Sequence, residues 1–85
     1  MIADTKILLV EDDASMGYLV TTILQEEGYK VKLCSDGESG LREYTPGQFE
    51  LCILDVMMPG MDGFTLAKRL RELDPQVKFL SMTVR

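Results

Sequence analysis

Strands alternating with helices around a parallel sheet, an α/β fold, are what this sequence predicts, and three observations carry the expectation. Two short apolar runs, Ile7-Leu8-Leu9-Val10 and Leu51-Cys52-Ile53-Leu54, have the unbroken hydrophobicity of strands buried on both faces. Apolar residues recur at helical spacing between these runs and again after the second. The two kinds of segment alternate along the chain, which calls for parallel strands joined by right-handed crossovers.

The elements follow in order. Lys6 to Val10 reads as a first buried strand. From Ala14 to Glu27 the positions Met16, Leu19, Val20, Ile23 and Leu24 form a helical stripe expected to lie in the core, and Gly28 sits where a helix stop belongs. Tyr29 to Cys34 alternates Tyr-Lys-Val-Lys-Leu, a strand with one polar face that belongs near an edge. Asp36-Gly37 opens a short helix through Tyr44, closed by Pro46-Gly47. Glu50 to Asp55 is the second apolar strand, and Val56 to Asp62 is a loop carrying Pro59 and Gly60. Phe64, Leu66, Ala67, Leu70 and Leu73 mark a third helix, stopped by Asp74-Pro75, and Val77 to Thr83 reads as a fourth strand. An open parallel sheet needs its faces covered, and no helix follows the fourth strand, so 1–85 is read as the first part of one domain, cut shortly after that strand.

Composition narrows the function classes. The 85 residues make at most one small domain. Fourteen acidic residues against nine basic ones give a net charge of −5, a poor basis for contact with nucleic acid. No apolar run approaches the length of a membrane span, and Met-Ile-Ala-Asp lacks the charged and apolar regions of a secretory signal. Cys34 and Cys52 fall within expected strands rather than at metal-ligand spacing, as buried thiols of a cytoplasmic protein would.

Both apolar strands end in acid. Ile7 to Val10 runs into Glu11-Asp12-Asp13, and Leu51 to Leu54 runs into Asp55. Neighbouring parallel strands lie about 4.8 Å apart, so these carboxylates would crowd one small pocket at a single sheet edge. Like charges that close disfavour full ionisation unless a cation or a proton intervenes. The pattern reads as a divalent-metal site with one acid kept for chemistry. Asp13, directly before the helical pattern, is better read as an N-cap, and Asp62-Gly63 as a helix start. Gly60 and Gly63 lack the pattern of a phosphate-cradling P-loop. Met57, Met58 and Met61 have no cysteine or histidine beside them and read as packing residues rather than soft-metal ligands. Lys68, Arg69 and Arg71 read as a solvated helix face.

Three segments, Ile7-Leu8-Leu9-Val10-Glu11-Asp12-Asp13, Ile53-Leu54-Asp55-Val56-Met57-Met58-Pro59 and Met61-Asp62-Gly63-Phe64, together resemble the receiver domain of two-component response regulators. The order, the spacing and the intervening strands fit along the whole chain, and details resemble the transcription-factor branch with winged-helix output domains. The resemblance implies a flavodoxin-like (CheY-like), doubly wound sheet of order 2-1-3-4, without the fifth strand and flanking helices of complete members. It implies that Asp55 is the phosphoacceptor, taking a phosphoryl group from a sensor histidine kinase. It implies that Asp12 and Asp55 bind Mg²⁺ directly, that Glu11 acts largely through water, and that the backbone carbonyl of Met57 supplies another oxygen. Thr83 would be the switch hydroxyl, with Ser81 a second candidate of the same strand parity. Pro59 and Gly63 would shape the adjoining loop.

Complete members carry a lysine at the end of a fifth strand, and this sequence has no counterpart for it. Two other readings stand beside the phosphoacceptor. An aspartate-nucleophile phosphohydrolase usually places a second Asp two residues after the nucleophile, where Met57 stands here, so turnover of outside substrates is not expected. An interaction fragment would satisfy a bare fourth strand by homodimer formation or exchange of elements. DNA binding would belong to an output domain that this sequence does not contain.

Overall fold

The structure, a computed structural model, describes residues 5–58 and 60–82. Seven elements run in strict alternation: β1 (Lys6–Val10), α1 (Ala14–Glu26), β2 (Lys30–Cys34), α2 (Gly37–Glu43), β3 (Leu51–Asp55), α3 (Gly63–Leu73) and β4 (Phe79–Met82). The strands form one parallel sheet of order β2-β1-β3-β4, as the resemblance implies. The chain steps from β1 outward to β2, then returns past β1 to β3, and this reversal leaves a crevice between the carboxyl ends of β1 and β3.

The two unbroken apolar runs become the two central strands because only there are both faces covered. Leu8, Val10, Cys52 and Leu54 face α2 and α3, where they pack with Tyr44, Met58, Leu66 and Leu70. Ile7, Leu9 and Ile53 face the other side, against Val20 and Leu24 of α1. Leu8, Leu9, Leu66 and Leu70 are fully buried, each contributing roughly 1.5–3 kcal/mol of transfer free energy. Both cysteines are buried and free, as expected.

Local chemistry sets the ends of the helices. Asp13, Asp36 and Asp62 are N-caps: their carboxylates accept the backbone N–H of Met16 at 3.0 Å, Ser39 at 2.7 Å and Thr65 at 2.8 Å. Gly28 ends α1 with a φ of 96°, a left-handed conformation that glycine adopts without a Cβ penalty. Across the α2–α3 layer, the Tyr44 hydroxyl donates to Asp74 at 2.5 Å and ties together the C-terminal ends of the two helices. Burial, then the Asp74 carboxylate beside it, holds that hydroxyl's pKa above the usual tyrosine range.

Two expectations need correction. The Met16–Leu24 stripe is only partly core: Leu19 and Ile23 are each 51% exposed, and Gly17 is the buried residue of α1. A single helix lies on this face among the described residues, so the stripe is wider than the strip of sheet it covers. The fourth strand begins at Phe79 rather than Val77, because Val77 is held in a turn by the Asp74 carbonyl, which accepts its N–H at 3.1 Å. The edge position of β2 is as expected. Its alternation sets Lys30 opposite Lys6 and Lys32 opposite Leu8, and charged side chains on an edge strand discourage further strand pairing.

The caps predict a pH dependence. The bonds from Ser39 N–H and Thr65 N–H hold the Asp36 and Asp62 carboxyls below the ordinary carboxylate range. The unfolded chain therefore binds protons at higher pH than the folded chain does. The stabilisation is present above the unfolded pKa and is lost as pH falls below about 4 through the lower folded values. Melting curves across that window should show a smaller acid loss for Asp36→Asn/Asp62→Asn than for the wild type, because asparagine caps without titrating. An unchanged acid loss would mean that the caps do not contribute.

Candidate metal centre

The pocket is assembled from the carboxyl ends of the two central strands. In the parallel β1–β3 pair Val10 stands opposite Leu54, so Glu11 and Asp55, the next residue of each chain segment, emerge side by side. Glu11 is 3% exposed and Asp55 1%, while Asp12 is half-buried. Each of the three offers a carboxylate oxygen, and these oxygens lie within 4.8 Å of one another. Glu11, Asp12 and Asp55 thus converge as the sequence predicts, and Asp13 serves α1 instead.

Backbone groups fix the acids. The Glu11 N–H donates to the Cys34 carbonyl at 3.0 Å, which anchors the turn after β1 to the end of β2. The Glu11 carboxylate accepts the Asp13 N–H at 2.8 Å, and Asp55 Oδ1 accepts the Met57 N–H at 3.0 Å. Burial pushes the Glu11 carboxyl above the ordinary range; the Asp13 N–H pulls it down, and the neighbouring Asp55 and Asp12 push it up again. A group of hard oxygen donors, two of them buried, suits a small divalent cation far better than a soft one. The donor set therefore fits Mg²⁺.

The other expected residues are placed unequally. Met57 lies two residues after Asp55, and its side chain is 63% exposed. Ser81 stands opposite Leu54 on β4 and is exposed. Thr83 and Pro59 lie outside the described residues. Asp62 is the N-cap of α3, and Gly63 is packed so tightly that a Cβ would stand 2.5 Å from the Asp55 carbonyl oxygen. The Cys34 carbonyl is invisible in the sequence, since a backbone acceptor carries no residue signature. Gly37 was legible only as part of a helix start.

In an open, doubly wound α/β sheet the crevice at the topological switch point is where ligands bind, and here three acids line it. The chain belongs to the response regulator receiver domain family, whose pattern it matches over residues 7–85. Among similar proteins is the transcriptional regulatory protein RprY of Bacteroides fragilis, 40% identical over 80 residues, which are 94% of this chain and 34% of that protein. The response regulator TrrA of Thermotoga maritima, solved in complex with Mg²⁺ and beryllium fluoride, superposes with a TM-score of 0.89 at 33% identity, covering 95% of this chain and 70% of that one. TrrA in complex with histidine kinase ThkA gives a TM-score of 0.87 at 34% identity, over 94% and 69% of the two chains. The chain spans about a third of the length of the first curated relatives it matches. Among the described residues no helix is long and apolar enough to cross a membrane.

The donor set predicts a metal-linked stabilisation. Saturating Mg²⁺ should raise the melting temperature, by the equivalent of about 2.7 kcal/mol at a hundredfold excess over Kd. Asp12→Asn should remove most of that rise, as seen in thermal scans with and without the ion. An equal rise in the variant would exclude Asp12 as a ligand.

Proposed function

We propose that this chain is a phosphoacceptor module, with Asp55 receiving a phosphoryl group from a sensor histidine kinase to control an output, namely transcription. The convergence of Glu11, Asp12 and Asp55 at the β1–β3 crevice carries this reading. It is supported by similarity to transcriptional regulators and to a protein solved with its histidine kinase.

The chemistry follows from the acids. A carboxylate is ionised at neutral pH and is a competent nucleophile without a separate base. One Asp55 oxygen forms a bond to phosphorus as the phosphorus–nitrogen bond of the donor phosphohistidine breaks; the electron pair leaves with the imidazole, which takes up a proton. The product is an acyl phosphate. Glu11, Asp12, Asp55 and the Met57 carbonyl would hold Mg²⁺ between them. When bound, that ion supplies charge neutralisation for the equatorial phosphoryl oxygens. The Met57 N–H bond orients Asp55 by occupying one of its oxygens. Thr83, or Ser81 in its stead, would then bond the phosphoryl group and carry the change into β4. In this role the domain is a substrate of its kinase rather than an enzyme, it works in the cytoplasm, and DNA contact belongs to an output domain.

Intact mass after incubation with Mg²⁺ and acetyl phosphate tests the assignment. A metal-dependent gain of one phosphoryl group is expected in the wild type and none in Asp55→Ala. Labelling that persists in Asp55→Ala would move the acceptor elsewhere.

A second reading, self-association, is favoured by the apolar side chains on and beside the α1 face. Leu80 is 56% exposed, and Leu19 and Ile23 about half. Size-exclusion chromatography should show a dimer that Leu80→Lys disperses; a wild type that remains monomeric at high concentration would remove this reading.

A further inference from the structure

The connection from β2 to α2 touches both halves of the acidic pocket. On one side, the Cys34 carbonyl accepts the Glu11 N–H at 3.0 Å, so the turn carrying the first two acids is tied to the end of β2. On the other, Gly37 lies buried at the first position of α2 against Met61, in the loop that leaves Asp55. A Cβ on Gly37 would stand 2.9 Å from the Met61 Cβ and 2.9 Å from the Met61 carbonyl oxygen. The far end of the same loop is seated as closely, since a Cβ on Gly63 would stand 2.8 Å from the Val56 Cα. The loop that follows Asp55 is therefore gripped at Met61 by α2 and at Gly63 by its own start.

Nothing in the local backbone demands glycine at 37. The positive-φ glycines among the described residues are Gly28, Gly47 and Gly60, so Gly37 keeps a conformation open to any residue. Glycine is a poorer helix former than alanine, so helix propensity does not call for it either. The approach of Met61 is what excludes a side chain.

We propose that Gly37 is a positioning residue for the metal site. The Cys34–Gly37 corner holds the Glu11–Asp12 turn on one side and, through Met61, the loop that carries Met57 on the other. A methyl group at 37 would fall about half an ångström short of ordinary van der Waals contact with Met61 and would push the loop outward. Mg²⁺ requires near-ideal geometry at about 2.0–2.1 Å, whereas Ca²⁺ accepts about 2.3–2.6 Å and irregular coordination. Widening the pocket therefore penalises Mg²⁺ more than Ca²⁺. The inference rests on the metal reading above.

Calorimetric titration of the full chain with Mg²⁺ and, separately, with Ca²⁺ tests it. Gly37→Ala should weaken Mg²⁺ binding by about tenfold and Ca²⁺ binding much less, so that selectivity shifts toward Ca²⁺. Gly47→Ala is the stability control, because its φ of 85° makes a side chain strained while nothing lies within 4 Å of the added Cβ. It should lower the melting temperature and leave both affinities unchanged. Met61→Gly removes two of the three atoms that a methyl at 37 would meet, so Gly37→Ala/Met61→Gly should fold where Gly37→Ala does not and should recover part of the lost Mg²⁺ affinity. Unchanged affinities in the variants, or an equal fall for both ions, would overturn the positioning role while leaving the metal site intact. A wild-type chain that binds no Mg²⁺ would overturn the metal reading and this inference with it.

Discussion

The parallel pairing of β1 with β3, with Val10 opposite Leu54, is the constraint on which the rest of the structure depends. It brings the acids after Val10 and Leu54 to one crevice, and it holds them there with strands buried on both faces. Neither face alone would suffice. The α2–α3 layer supplies Leu66 and Leu70, and α1 supplies Val20 and Leu24. The hydrophobic free energy of these contacts holds the pocket rigid enough to keep three carboxylates together, an arrangement that like-charge repulsion alone would spread.

Much of this was legible in the sequence because the physical signals are local. Four apolar residues without a break mark a strand covered on both sides, and an acid at each end places a pocket. Asp13, Asp36 and Asp62 each stand immediately before a helical segment, and all three are caps. The parts that escaped depend on surroundings. Whether Leu19 and Ile23 are core depends on what else covers the α1 face, which their own periodicity does not record. The start of β4 depends on the turn closed by the Asp74 carbonyl.

The candidate site divides in the same way. Glu11, Asp12 and Asp55 were readable because acids end two separate apolar runs, and their convergence on one edge needs only a parallel sheet. Gly37 and the Cys34 carbonyl were not. One acts by lacking a side chain, the other through its backbone, and their partners stand 24 and 23 residues away in sequence. Such supports emerge only when the β2–α2 corner is seen lying against the Glu11 turn and the Met61 loop together.

The hydrogen bonds within the pocket link its charge to the helices around it. The Glu11 carboxylate accepts the Asp13 N–H, while the Asp13 carboxylate caps α1. Asp55 accepts the Met57 N–H, and its carbonyl lies beneath Gly63 at the start of α3. A change of charge at Glu11 therefore alters a bond to the N-cap residue of α1, where the backbone N–H groups and the helix dipole are most sensitive to charge, while Asp55 reaches the start of α3 through the close seat of Gly63 on its carbonyl. A pocket made from strand ends alone would respond only within itself. Here the end of β1 runs straight into the cap of α1, and the end of β3 lies against the first residue of α3, so the acids that gather charge also sit on the connections that orient both helices.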